Sequence, residues 1–361
     1  MIGAVDRYLA AVTLRALLFT ALGLTALMTL FGFVAELALV GRGTFGTADA
    51  LLCAALEVPA RLLQVVPVSM LLACLLGLGG LARHSELVAL RALGLGQVRI
   101  MLPALGLVLP VSLVLLLMSQ FVIPGGEQAA RQRRVAAVAG GGAGAAGEAF
   151  WARGETGNGT SFLEVGGFGD RRSAQRVAVY EFRADGTLRR ALDADWAEIR
   201  PDGEWMLHGV ERHVARGDQI DTDHLDTLAW RSFLSRRELR FLAAPPNSVP
   251  ALGLLRHIRD LKRHGQSALR YQRELWARIA IPFSMAGLVL SAAPLLFGTP
   301  RGRTAGARLA AGIGIAIGFS LFGEIMNRLG VLLELAPAVQ ALTPPILLLA
   351  LALWLLAQQQ A

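Results

Sequence analysis

The strongest constraint on this chain is where its apolar residues fall. Six stretches, at 9–40, 62–82, 98–123, 279–297, 309–329 and 335–357, approach or exceed the ~20 residues a helix needs to cross a bilayer. The first is too long for a perpendicular crossing, so it is expected to tilt or to project from the membrane. It has no small-residue cleavage site and reads as a retained span, not a signal peptide. Charge is segregated to match. Residues 124–276 hold 23 basic and 20 acidic side chains, out of 35 and 27 in the whole chain. The sequence therefore divides into a membrane half with three spans at 1–123, a polar insert with its connecting segments at 124–268, and a second three-span half at 269–361.

Only 17% of the residues are charged, against about 25% in an average soluble domain. A soluble enzyme is disfavoured on that ground. The net charge of +8 invites a nucleic-acid partner. The insert, however, carries no arginine run interleaved with aromatics, and that class is set aside. Loop charge gives the orientation. The turn at 82–97 carries Arg83 and Arg91, with Arg99 just beyond, and the turn at 298–308 carries Arg301, Arg303 and Arg308. The opposite turns are poorer, with Arg42 and Arg61 offset by Asp49 and Glu57 at 41–61 and no positive charge at 330–334. The positive-inside bias then puts both termini in the cytoplasm and the insert on the far side. Cys53 and Cys74 are about 31 Å apart along a helix. They cannot pair, and the insert must hold together without disulfides.

The insert reads as β-rich. After the flexible run at 140–147 come strand-like segments at 177–182, 187–199 and 204–214. Asp-Gly turns at Asp185-Gly186 and Asp202-Gly203 separate them, and such turns between alternating strands mark hairpins. Trp151, Trp196, Trp205 and Trp230 are candidates for an apolar face. Pro245-Pro246 ends the strands, and 248–265 reads as a helix returning to the membrane.

Catalytic motifs are absent. A P-loop needs a lysine behind a glycine-rich loop. The single lysine, Lys262, has no such loop before it. No H-E-x-x-H, C-x-x-C or G-x-S-x-G occurs, and the six histidines show no ligand spacing. The chain is expected to be no enzyme and to hold no cofactor or metal of its own.

Four features are left to carry function. In the turn at 84–94, Ser85 is placed to cap a short helix, Glu86 complements its positive start, and Gly94 can close it in the left-handed region. Leu87, Leu90 and Leu93, with Val88, give it an apolar stripe. Such a helix suits docking into a groove on another protein, or lying on lipid. The second feature is Gly314-Ile315-Ala316-Ile317-Gly318, a GxxxG that allows close helix approach inside this chain or to a partner. The third is charge at membrane depth: Glu324 with Arg328, Glu57 with Arg61, and Glu36 with Arg42. These pairs either neutralise each other near the headgroups or line a rim where a charged amphiphile enters. The fourth is the segment from Gly126 to Arg134, whose Arg131 and Arg134 suit phosphate contact and equally suit a solvated helix extension. A transporter, a non-transporting membrane anchor that presents a periplasmic β scaffold for envelope assembly, and an ion-coupled carrier all fit this outline. The carrier lacks the internal repeat or broken-helix pair expected of it.

Particular segments resemble a known family. They are Asp6-Arg7-Tyr8, Gly41-Arg42-Gly43-Thr44-Phe45, Val58-Pro59, the run LLGLGGLARHSELVALRALG at 75–94, Pro124-Gly125-Gly126-Glu127-Gln128, RYQRELW at 270–276, and Phe297-Gly298-Thr299-Pro300-Arg301. The chain resembles the lipopolysaccharide export permeases of the LptF/LptG (YjgP/YjgQ) family, with the LptG branch the nearer. The resemblance covers both membrane halves and their order, and it is weak at 136–243. It implies a permease subunit that pairs with an LptF-type subunit on a dimer of the ATPase LptB, which binds the ATP and Mg. It implies association with LptC, and with LptA through a periplasmic bridge. It implies extraction of lipopolysaccharide from the outer leaflet of the bacterial inner membrane. The fold implied is a six-helix membrane protein with an inserted periplasmic β-jellyroll. Ser85, Glu86, Leu87, Leu90 and Arg91 then form the helix coupled to the ATPase, with Glu86 its acidic contact. One departure stands out. Relatives carry basic residues late in the first span, where this chain has Gly32, Ala38 and Leu39. Either Arg42, Arg61, Arg131 and Arg134 take their place or the partner subunit supplies the charge, and Glu36, Glu324 and Arg328 are the further candidate substrate contacts.

Overall fold

The computed structural model describes residues 3–139, 150–156, 159–168, 173–183, 185–200, 203–216, 219–233, 249–263, 268–297 and 305–360. Two compact units emerge. One comprises Met1–Ala35, Ala54–Gln128 and Pro250–Ala361, the other Glu36–Cys53 and Ala129–Val249.

The first unit is helical. It contains α1 (Ala4–Leu37), which runs on into the second unit, and α3 (Val58–Arg83), α4 (Glu86–Ala92), α5 (Gln97–Gly106) and α6 (Val108–Phe121). α2 (Thr47–Leu56) and α7 (Ile123–Ala139) cross the division between the units. After the sheet come α8 (Ala251–Arg263), α9 (Leu269–Phe297), α10 (Ala305–Leu332) and α11 (Pro337–Gln360). Among the described residues, six spans are long and apolar enough to cross a membrane: Ala4–Leu37, Val58–Arg83, Gln97–Phe121, Leu269–Phe297, Gly306–Leu332 and Pro337–Gln358. The expected spans are thus present. At about 1.5 Å per residue α1 is about 51 Å long, well beyond the ~30 Å hydrocarbon core. The third span is interrupted between α5 and α6. Pro110 has no N–H to donate to the Gly106 carbonyl and crowds it, which accounts for the break. Pro124 does the same to Gln120 and separates α6 from α7.

The core of this unit lies between α3 and α9. Met70, Leu71, Ala73, Cys74 and Leu78 meet Met285, Leu288, Val289, Ala292 and Ala293, all fully buried. Small residues let backbones approach. A Cβ added at Gly77 would lie 3.3 Å from Ala16 Cβ and from the Val12 carbonyl oxygen, so α1 packs directly on this face of α3. Several of the hydroxyls buried here bond back within their own helices. Thr13 Oγ1 donates to the Leu9 carbonyl at 2.9 Å, and Thr20 Oγ1 to that of Ala16 at 2.9 Å.

The second unit contains a six-stranded antiparallel sheet in the order β1-β2-β3-β4-β5-β6. The strands are β1 (Phe150–Thr156), β2 (Gly159–Phe168), β3 (Ser173–Arg183), β4 (Leu188–Ile199), β5 (Glu204–Arg216) and β6 (Gln219–Arg231). The inserted all-β domain is therefore present, built among the described strands as an uninterrupted meander of hairpins. The β3–β4 turn is set by Asp185, which accepts the Thr187 amide at 2.9 Å and its hydroxyl at 2.6 Å, with Gly186 at φ +82°.

The apolar face of the sheet changes parity along the strands. On β3 it runs from Ala174 to Val177 and Val179, on β4 from Leu192 and Ala194 to Ala197 and Ile199, and on β5 from Trp205 and Leu207 to Val210. The switch falls on one line of neighbouring residues, with Arg176 at φ +49° and Gly209 at φ +61°. At Gly209 the positive φ strains any residue with a Cβ, which would also meet the Asp195 carboxylate, so glycine suits that point of the crease. The bend lets the sheet curl over its own core. Trp230 on β6 thereby donates from Nε1 to Glu181 on β3 at 3.1 Å, although the two strands are not neighbours.

Two sequence expectations change here. Only Trp205 and Trp230 join the core, where they meet edge to face at 5.9 Å. Trp151 and Trp196 are exposed and stack on Tyr180 and His208. The sequence reading also missed β1, β2 and β6. The run at 140–147 and Pro245-Pro246 lie outside the described residues. The returning helix is α8.

Candidate functional site

Three helical turns and a handful of charges carry the chemistry. α4 forms as a separate helix because its ends are closed locally. At the far end Gly94 adopts φ +88°, its N–H donates to the Arg91 carbonyl at 2.9 Å, and the Leu95 N–H reaches the Leu90 carbonyl at 3.2 Å. That pair of bonds is a Schellman closure, and it needs a left-handed residue. The start differs from expectation. Ser85 occupies the cap position at φ +58° and its side chain makes no capping hydrogen bond. A capping hydroxyl normally goes with extended backbone at this position, and the left-handed conformation of Ser85 departs from it.

The apolar stripe of α4 is divided. Leu87 is buried in the core of the chain and Leu90 packs against it. Val88 and Leu93 point outward, 64% and 80% exposed. The outward apolar face of α4 is therefore Val88, Ala89 and Leu93, while Leu87 and Leu90 fix the helix to its own unit. Glu86 is exposed and accepts the Tyr8 hydroxyl at 2.9 Å. Arg91 lies over the Phe297 ring at the end of α9, 5.9 Å from its centroid. Asp6 pairs with Arg99 at 2.8 Å. Tyr8, Asp6 and Phe297 had no assigned role in the sequence reading, because residues 78 or more positions apart leave no local pattern.

Arg61 sits in the first turn of α3. It pairs with Glu57 at 2.9 Å and donates to the carbonyls of Thr29 at 3.2 Å and Ala54 at 3.4 Å. A Cβ on Gly32 would fall 1.9 Å from its guanidinium, so α1 keeps a glycine where this cation lies against it. Glu324 and Arg328 form the expected i,i+4 pair, at 2.6 Å, on an exposed face of α10.

In the second unit Glu36 does not pair with Arg42. It binds Arg134 of α7 at 2.6 Å, half-buried. Next to it Arg133 pairs with Asp49 at 2.7 Å. The Gly46 amide, with Arg133, holds the Asp49 carboxyl below the usual range. Arg131 is partly exposed on the same helix, and Arg42 is exposed in the turn after α1. In the sheet, burial pushes the Glu181 carboxyl up, but the bonds from Arg190 and Trp230 outweigh it and hold the group low.

Gly314 and Gly318 face open space, with nothing within 4 Å of an added Cβ. Gly312, in contrast, is pressed onto Leu75. Among the described residues nothing packs on Gly314 or Gly318, so the face they form is left open to a partner or to lipid. Ile317, Leu321 and Ile325 extend the same exposed helix.

Residues 7–358 match the family described as lipopolysaccharide export system permease LptF/LptG. The chain belongs to the LptF/LptG permease family. It is 28% identical over 356 residues to the lipopolysaccharide export system permease protein LptG of Escherichia coli K12, covering 98% of both chains. It is 28% identical over 361 residues to the LptG protein of Haemophilus influenzae, covering both chains completely. The family is one of permeases of the lipopolysaccharide export system, and the six apolar helices with an inserted sheet are this member's form of a multi-pass membrane protein. In this LptF/LptG permease the Arg61 guanidinium of α3 lies against Gly32 of α1.

Proposed function

We infer that this chain is the LptG-type half of an ATP-driven extractor of lipopolysaccharide, with both termini in the cytoplasm and the sheet in the periplasm. Its partners are an LptF-type permease, a dimer of an LptB-type ATPase that binds ATP and Mg, LptC, and LptA through the periplasmic bridge. The observation that carries the reading is α4, a short helix closed at its end between two spans, with Val88 and Leu93 left outward in a chain of this family.

The mechanism follows from what each part can transmit. Ser85, Glu86 and Arg91 present the polar contacts of α4 to the ATPase, and Leu87 and Leu90 make it move with the helical unit. When ATP draws the ATPase dimer together, α4 shifts as a lever and α1 and α10 move against the second permease. Lipid is squeezed out of the outer leaflet of the inner membrane. Arg42, Arg61, Arg131 and Arg134 are each proposed contacts for its phosphates, and Glu36, Glu324 and Arg328 further proposed contacts. Each CH₂ brought into water costs ~0.8 kcal/mol, so several acyl chains need an apolar receiver. The curled sheet, with Leu163, Val179, Leu192 and Leu207 on its inner face, offers that chemistry.

The test is Glu86→Arg in the purified complex. The expected result is loss of ATPase co-purification and of lipid release. Unchanged ATPase binding and unchanged release contradict the lever.

A further inference from the structure

α1 begins with two polar contacts that reach across the sequence to either side of α4. The Tyr8 hydroxyl donates to Glu86 Oε2 at 2.9 Å, from a residue 78 positions away. Asp6 Oδ2 accepts Arg99 Nη2 at 2.8 Å, from 93 positions away, and also the Gly3 amide at 3.1 Å. Glu86 is the first residue of α4, and Arg99 lies in the first turn of α5. The Schellman closure at Gly94 stiffens the piece between them. One turn on, Leu9 is 2% exposed and seats the same end of α1 in the core. Farther along, α1 is largely uncovered, with Leu18, Phe19 and Leu22 each more than half exposed.

We propose that Tyr8 and Asp6 tie the start of α1 to the two ends of the α4 segment, so that α1 follows α4 when the ATPase moves it. The tie rests on the reading of α4 as the coupling helix. Without it, displacement of α4 reaches α1 through apolar packing, at Leu9 and across the close contact of α3 at Gly77. With it, two directional polar contacts join the start of α1 to the α4 segment. Tyr8 is a positioning residue. Its hydroxyl fixes one carboxylate oxygen of Glu86 and leaves Oε1 toward a cation on the docking protein.

The experiment uses the whole complex of both permeases and the ATPase in liposomes, with ATP hydrolysis and lipid release measured together. The variants are Tyr8→Phe with Asp6→Ala, the charge-reversed pair Asp6→Arg with Arg99→Asp, and Glu86→Ala. In the Tyr8→Phe, Asp6→Ala complex the ATPase stays bound and hydrolysis stays near native. Lipid released per ATP falls about tenfold, the scale set by loss of a charge-assisted hydrogen bond. The charge-reversed pair, with Tyr8 intact, releases lipid at close to the native ratio, and it is the ratio of lipid to ATP at unchanged hydrolysis that a merely structural defect would not move. An unchanged ratio in the Tyr8→Phe, Asp6→Ala complex overturns the tie. So does a parallel fall of hydrolysis and release, which would make Tyr8 part of docking. If Glu86→Ala is native in both readouts, the coupling reading itself fails. If Glu86→Ala is defective while the tie variants are native, only the tie fails.

Discussion

α3 and α9 hide 56% of their apolar windows inside the chain, whereas α1 hides 22% and α10 only 11%. All four are equally oily, so hydropathy alone does not distinguish them. What differs is which small residues find a neighbour. Gly77 and Gly287 press on α1 and α11, while Gly314 and Gly318 meet nothing. In a bilayer, apolar side chains gain little by leaving lipid, and helices associate through close packing. A span with an open small-residue face is therefore one that close packing within the chain does not hold.

The largest effect should come from the covered pair. Leu78→Ala, at a fully buried site, should destabilise the chain by ~2–5 kcal/mol in a detergent unfolding titration. Leu321→Ala, at a site 59% exposed, should cost less than ~0.5 kcal/mol. Equal losses would break the distinction between the two sets of helices.

The same contrast applies to ion pairs. Glu181–Arg190 is largely enclosed, with side chains 15% and 34% exposed. Glu181→Gln should cost ~1.5–3 kcal/mol. Because the folded sheet lowers this carboxyl, its contribution is full above the unfolded pKa and is lost as pH falls through the folded one. Thermal unfolding followed by tryptophan fluorescence should show a native acid-side decline that Glu181→Gln flattens.

Gly318→Leu should leave the isolated chain folded, since the site is open, but should weaken association with the second permease about tenfold, ~1.4 kcal/mol. Native co-purification would assign that face to lipid. The smallest effect is expected for Arg328→Ala. Its pair with Glu324 is exposed, and its removal should change folding stability by less than ~0.5 kcal/mol.

The spans were legible because the bilayer imposes a length of ~20 apolar residues that few other structures need. The i,i+4 pairs Glu57–Arg61 and Glu324–Arg328 were legible because helical spacing forces them together. Glu36 was misassigned to nearby Arg42, since Arg134 reaches it only through the fold. β2 and β6 escaped notice for a different reason. Gly166 and Gly167 interrupt the first, and Asp221, Asp223 and Asp226 give the second a polar face without strong strand formers. The left-handed backbone at Ser85 has no sequence signature, because serine normally caps with its hydroxyl.

The transport account requires the sheet and α4 to stand on opposite sides of the membrane. Cys53 and Cys74 are both fully buried, so an introduced thiol reports alone. Asp193→Cys on β4 and Leu93→Cys beside α4, both exposed, can be challenged with a membrane-impermeant maleimide in spheroplasts. The account predicts labelling of Asp193→Cys at once and of Leu93→Cys only after permeabilisation. Labelling of both from the same side would contradict it.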